Sequence, residues 1–183
     1  MNNGKIGPDH LGYATGNLIF TKKANDNFSY KFKQRILDVF KHFPELQEEI
    51  VYIGWIAPRG WARGSCYIPS PSSYTSPTNK KMKISLQPNE KNFTIAHEFT
   101  HLLQARKKEL QIPDGERACD VWTLTRLPLE LLDDCPSYIG NYLMRKRWDT
   151  IKLKVRELAF CAIEVRKTKR QYIVWLEDEI KKL

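Results

Sequence analysis

The sequence predicts an α+β domain: a small twisted sheet packed on one central helix, followed by a mostly helical C-terminal half. Three observations predict it. The β-branched and aromatic runs, EIVYIGWIA and MKISLQ, fall in the first ninety residues. From Asn92 onward, apolar residues recur at three- and four-residue spacing instead. Strands gathered in one half and helices in the other is the α+β pattern, and 183 residues suffice for one domain with a core.

Residues 1–28 are polar and glycine-containing, with little periodicity, and read as an N-terminal arm. A helix is expected over Tyr30 to Phe43, with Phe32, Ile36, Leu37, Val39 and Phe40 apolar and Pro44 past its end. Glu49 to Ala57 reads as a strand, Gly64 to Ile68 as a shorter one. Pro69 to Lys81 is proline- and serine-rich and reads as a loop. Met82 to Gln87 alternates apolar and polar residues, as a strand with one buried face does. Asn92 or Thr94 is the expected cap of a helix running to Lys108, and Asp114 that of a helix over Gly115 to Arg126. Short helices are expected in 129–145, and Trp148 to Leu183 reads as helical throughout. The expected units are the arm, a body over 29–147, and a basic helical segment over 148–183 packed on it.

The net charge is +9 and unevenly placed. Residues 1–90 carry 12 basic and 7 acidic groups, 91–140 carry 6 and 8, and 141–183 carry 12 and 6. The basic flanks, with Trp61, Trp148 and Trp175 among them, leave nucleic acid open as a partner, although no recognised nucleic-acid motif is present. The bland alternative is a solvated helix surface. No apolar run reaches the roughly 20 residues of a membrane helix. The first twenty residues lack a basic segment followed by an apolar block, so the reading is a cytoplasmic protein. Cys66, Cys119, Cys135 and Cys161 form no C-x-x-C pair and are expected to be buried thiols.

Chemistry enters at HEFTH. On a helix His97 and His101 lie on one face and can present two imidazoles to one ion. Zinc takes neutral imidazole at about 2.0–2.1 Å. Glu98 falls beside such an ion without having to bind it, where a general base for metal-assisted hydrolysis belongs. A shuffled chain of this composition would carry H-E-x-x-H in roughly one case in two hundred.

A catalytic zinc site needs a third protein ligand. The other histidines, His10 and His42, both precede the motif, so a carboxylate is required. In GERACDVWTL, Glu116 and Asp120 share a helix face. Glu116 can bind the metal while Asp120 accepts a hydrogen bond from the outer nitrogen of a liganding histidine. A solvent-facing acidic pair at a helix start is the competing view. Glu109, Asp114, Asp133 and Asp134 are weaker candidates.

A strand, an H-E-x-x-H helix and an E-x-x-x-D helix together resemble the gluzincin zinc metallopeptidases, and the short chain resembles the minigluzincins among them. ERACDVWTLTRLPLELL is also similar to the IrrE/ImmA-type proteins, which are linked to cleavage of transcriptional repressors. The resemblance spans residues 82–127. It implies one zinc ion per chain on His97, His101 and Glu116, Glu98 as base and acid, and Asp120 behind a histidine. It implies a peptide or protein substrate laid along Met82 to Gln87 as the edge strand. Tyr138, Tyr142 and Arg145 are candidates for stabilising an oxyanion. Cys66 or Cys135 could hold such an enzyme latent by binding the metal, and the basic tail could lie across its cleft. A nucleic-acid-associated protein with a structural or vestigial zinc site is the alternative.

Overall fold

The computed structural model describes residues 14–15, 17–58, 64–67, 82–140 and 142–183. The strands are β1 (Ala14–Thr15), β2 (Leu18–Phe20), β3 (Val51–Trp55), β4 (Gly64–Tyr67) and β5 (Met82–Leu86). They form one mixed sheet in the order β1-β2-β3-β5-β4. β2, β3 and β5 are mutually parallel; β1 and β4 pair antiparallel at its two ends. The helices are α1 (Lys22–Asn27), α2 (Tyr30–Phe40), α3 (Asn92–Arg106), α4 (Glu116–Arg126), α5 (Tyr142–Lys146), α6 (Trp148–Val165) and α7 (Tyr172–Lys181). The α+β class and the helical C-terminal half are as the sequence predicts.

The core follows the periodicities. Along β5, Met82, Ile84 and Leu86 are buried while Lys83 and Ser85 are only partly so. The sheet packs on α3, which buries Phe93, Ile95, Ala96, Phe99, Leu102 and Leu103. Phe99 meets Phe40 and Phe43 with ring centroids 5.1 and 5.3 Å apart. Behind α3 lies α4, and behind α4 lies the α6–α7 pair, which buries Ile151, Val155, Ala159, Ala162 and Leu176. Trp122 of α4 meets Tyr172 of α7 edge to face, and Arg117 pairs with Glu177 at 2.5 Å. The basic tail is thus part of the core. A truncation before Trp148 would remove buried side chains rather than uncover a cleft.

Several expectations are corrected. The arm over 1–28 is structured in its second half: Leu18, Phe20 and Ala24 are fully buried in β2 and α1. Its apolar run is three residues long, too short for periodicity to reveal. Residues 1–13 and the loop expected over 69–81 lie outside the described residues. Met82–Leu86 is not an edge strand, because β4 pairs along its outer side. α3 is capped neither by Asn92 nor by Thr94. Asp133 reaches in from a distant turn and accepts from the backbone N–H groups of Asn92 and Phe93 at 3.0 and 3.2 Å. The α4 cap is Gly115, not Asp114. The tail breaks after Val165 into two helices. Cys119 and Cys135 are buried free thiols, but Cys161 is exposed. Among the described residues, no helix is long and apolar enough to cross a membrane.

Candidate metal centre

Helical spacing sets His97 and His101 edge to face on one side of α3, their ring centroids 4.7 Å apart. The chain then returns to them through a tight turn. Gly115 has φ 100°, a left-handed conformation that a side chain would strain, and it starts α4 with Glu116 as the first helical residue. Glu116 therefore points back at α3. Its Oε2 lies 2.9 Å from Nε2 of His97 and 3.1 Å from Nε2 of His101.

One turn along α4, Asp120 is fully buried. Its Oδ2 accepts from the backbone N–H groups of Tyr138 and Ile139 at 2.7 and 3.3 Å. Its Oδ1 accepts from Nδ1 of His97 at 2.9 Å. His101 Nδ1 donates to Gln104 Oε1 at 2.7 Å. With both Nδ1 atoms protonated, each Nε2 of a neutral imidazole keeps a lone pair. Those two lone pairs and a carboxylate oxygen converge on one point, where three acceptors need a proton or a cation between them. Burial disfavours a charged His97, but Asp120 and Glu116 outweigh it and its pKa is raised. Burial likewise raises Glu116, yet its bonds to His97 and the charge of both histidines bring its carboxyl below the ordinary range.

Among the described residues, His97, His101 and Cys119 place one donor atom each within 4.8 Å of one another, a group compact enough to hold a metal ion. Cys119 is a buried thiol held by a hydrogen bond of its own. Its thiol donates to the His97 carbonyl at 3.1 Å. Burial, with Asp120, Glu98 and Glu116 beside it, pushes its pKa well above the usual thiol range, whereas the thiolate is the ligand form. Glu116 is a further oxygen donor, at hydrogen-bond distance from both imidazoles. Two imidazoles with a carboxylate oxygen 2.9 and 3.1 Å from their Nε2 atoms form a donor set of the kind that holds a metal ion.

Glu98 is 6% exposed. Burial pushes its pKa up to about 7, with His97 opposing the rise and Glu116 and Glu90 adding to it. Gly64 of β4 lies against it, and a Cβ there would fall 2.4 Å from Glu98 Oε1. The Tyr138 ring stacks on His97 with centroids 5.6 Å apart and is half exposed.

His97, Glu98, His101, Glu116, Asp120 and Tyr138 are thus brought together. The competitors are not. Asp133 caps α3, and Asp114 is exposed and pairs loosely with Lys108. Arg145 lies against Cys135, whose thiol burial pushes up to about 11, and the side chains of Cys66 and Tyr142 lie outside the described residues. Sequence reading missed Gln104, Cys119 and Gly64. The first two were open to discovery, three residues after His101 and Glu116 on the same helices; nothing local marks Gly64. The basic C-terminal surface is laced with local ion pairs, such as Lys154–Glu157 and Lys167–Glu164. Comparison with family models, curated proteins and solved structures gives no match.

Proposed function

We propose that the chain is a zinc-dependent peptidase of the gluzincin type, with His97, His101 and Glu116 as zinc ligands and Glu98 as general base. What carries the reading is the convergence of two oriented imidazole lone pairs and a carboxylate beside a second, buried carboxylate. Zinc, when bound, would lower the pKa of a water toward about 7 and polarise a substrate carbonyl.

The chain's own residues supply the rest. Asp120 and Gln104 hold both imidazoles in the tautomer that leaves Nε2 free. Glu98, poised near neutrality, can take a proton from water at a carboxylate oxygen and return it to the leaving amine. Among the described residues β4, rather than Met82–Gln87, is the outermost strand on that side, where an extended peptide could pair, and its first residue lies against Glu98. The Tyr138 ring over His97 walls the site, where its hydroxyl is the candidate donor to a developing oxyanion.

The test is elemental analysis followed by peptide cleavage. One zinc per chain is expected in wild type and none in His97→Ala. A mixed peptide library read by mass spectrometry should be cut by wild type and left intact by Glu98→Gln, which keeps its zinc. No metal in wild type purified without chelator, or undiminished cleavage by Glu98→Gln, would overturn the reading.

A further inference from the structure

We propose that Gln104 positions two ligands of the metal centre at once, orienting the His101 imidazole and fixing the turn that delivers Glu116; this rests on the zinc reading above. Gln104 is 5% exposed, and its amide can be read without ambiguity. One end lies 2.6 Å from the Pro113 carbonyl and 3.1 Å from the Gly115 carbonyl. Carbonyls only accept, so this end is the NH₂ group, and both of its hydrogens are used. The other end is therefore Oε1, facing His101 Nδ1 at 2.7 Å. It can only accept, so Nδ1 carries a proton, and in the neutral imidazole Nε2 then keeps its lone pair on the Glu116 side.

The loop half of the arrangement matters as much. The Glu116 side chain is 46% exposed, so packing does not fix it. Its direction comes from the backbone before it, where Gly115 holds a left-handed conformation without any side-chain cap. Gln104 grips that peptide by its carbonyl, which also accepts from Cys119 N in the first turn of α4. One buried amide thus spans the gap between the second histidine and the carboxylate.

Two variants of the full chain separate the roles. Gln104→Met removes both; Gln104→Glu keeps an acceptor for His101 but sets an oxygen against two carbonyls. Zinc affinity is measured by competition with a chromophoric chelator. Nitrogen NMR locates the imidazole protons in metal-stripped protein, above the imidazole titration range, with His97 as internal reference. Gln104→Met should bind zinc about 10–100-fold more weakly and shift the His101 proton from Nδ1 to Nε2. Gln104→Glu should keep the Nδ1 proton and show an intermediate loss. Wild-type affinity in both variants, beside a wild type that binds zinc, would overturn the inference and leave the zinc reading standing. A wild type without zinc affinity would overturn both. Should Gln104→Met fail to fold, wild-type affinity in Gln104→Glu is itself the overturning result.

Discussion

His97 and His101 sit one helical turn apart and are held by opposite means. His97 donates to a carboxylate buried deep in the protein, whose second oxygen is fastened by the Tyr138 and Ile139 backbone. His101 is more exposed and donates to a neutral amide that reaches across to a surface turn. A charged partner raises the basicity of an imidazole as well as orienting it; an amide only orients it. The first arrangement anchors the centre to the core. The second ties together two parts of its rim.

The largest effect is expected at the anchor. Asp120→Asn offers one oxygen and one NH₂ where acceptors are needed on both sides. Either His97 loses its acceptor or the Tyr138 and Ile139 N–H groups lose theirs. An unsatisfied buried donor costs about 1–3 kcal/mol, and loss of a histidine's outer partner about 10–100-fold in metal affinity. Urea midpoints and chelator competition should show both losses. Gln104→Met should show mainly the second, and equal destabilisation by the two variants would erase the distinction.

The pH dependence of the metal-free protein sharpens it further. His97 is raised above its ordinary 6.5, so its stabilising contribution is full below about 6.5 and lost as pH rises through the higher folded value. Glu98, raised to about 7 from 4.5, acts in the same direction, its contribution lost between those values as pH rises. Glu116 is lowered, so its contribution is present above 4.5 and lost only in acid. Metal-stripped protein should therefore melt at progressively lower temperature as pH rises from about 5 to 8. Zinc should remove most of that slope, and Asp120→Asn should flatten it without zinc. A melting temperature that climbs with pH in stripped wild type would contradict the assigned partners.

Gly64→Ala comes next. Its Cβ would overlap Glu98 Oε1 and the carbons behind it, the three nearest atoms all belonging to Glu98. On the proposed peptidase reading, cleavage should fall by about 10²-fold or more, the scale for a displaced general base, with zinc affinity within about twofold of wild type. Parallel loss of zinc would mean that Glu98 also supports His97.

How much of this the sequence disclosed depends on how local each signal is. That His97 shares a face with His101, and Glu116 with Asp120, is legible because each pair lies on a single helix, where a spacing of four means a shared face. The α+β class is legible from periodicity for the same reason. What escaped depends on contacts between distant segments. β4 covers β5 through pairing that no local pattern specifies. Asp133 caps α3 from 40 residues downstream, so the helix start carries no cap of its own. Gly64 is significant only because Glu98 lies against it.

The smallest expected effect tests whether the two ends of α4 are independent. At the far end from Glu116, Arg126 grips Glu45 with two bonds of 2.7 and 2.9 Å, and its guanidinium lies 5.6 Å from the Phe43 ring centre. Burial tends to raise Glu45, yet the Arg126 bonds bring its carboxyl below the ordinary range. Its contribution is thus present at neutral pH and lost in acid. Both groups are about three-quarters or more covered, and the pair is bidentate, so Glu45→Gln should cost about 1 kcal/mol at neutral pH. Zinc affinity should not change, because the turn at Gly115 and the amide of Gln104 fix Glu116 locally. A shift in affinity with this substitution would mean that α4 is held as one rigid body from its far end, and that Gln104 shares control of the carboxylate with the Glu45–Arg126 pair.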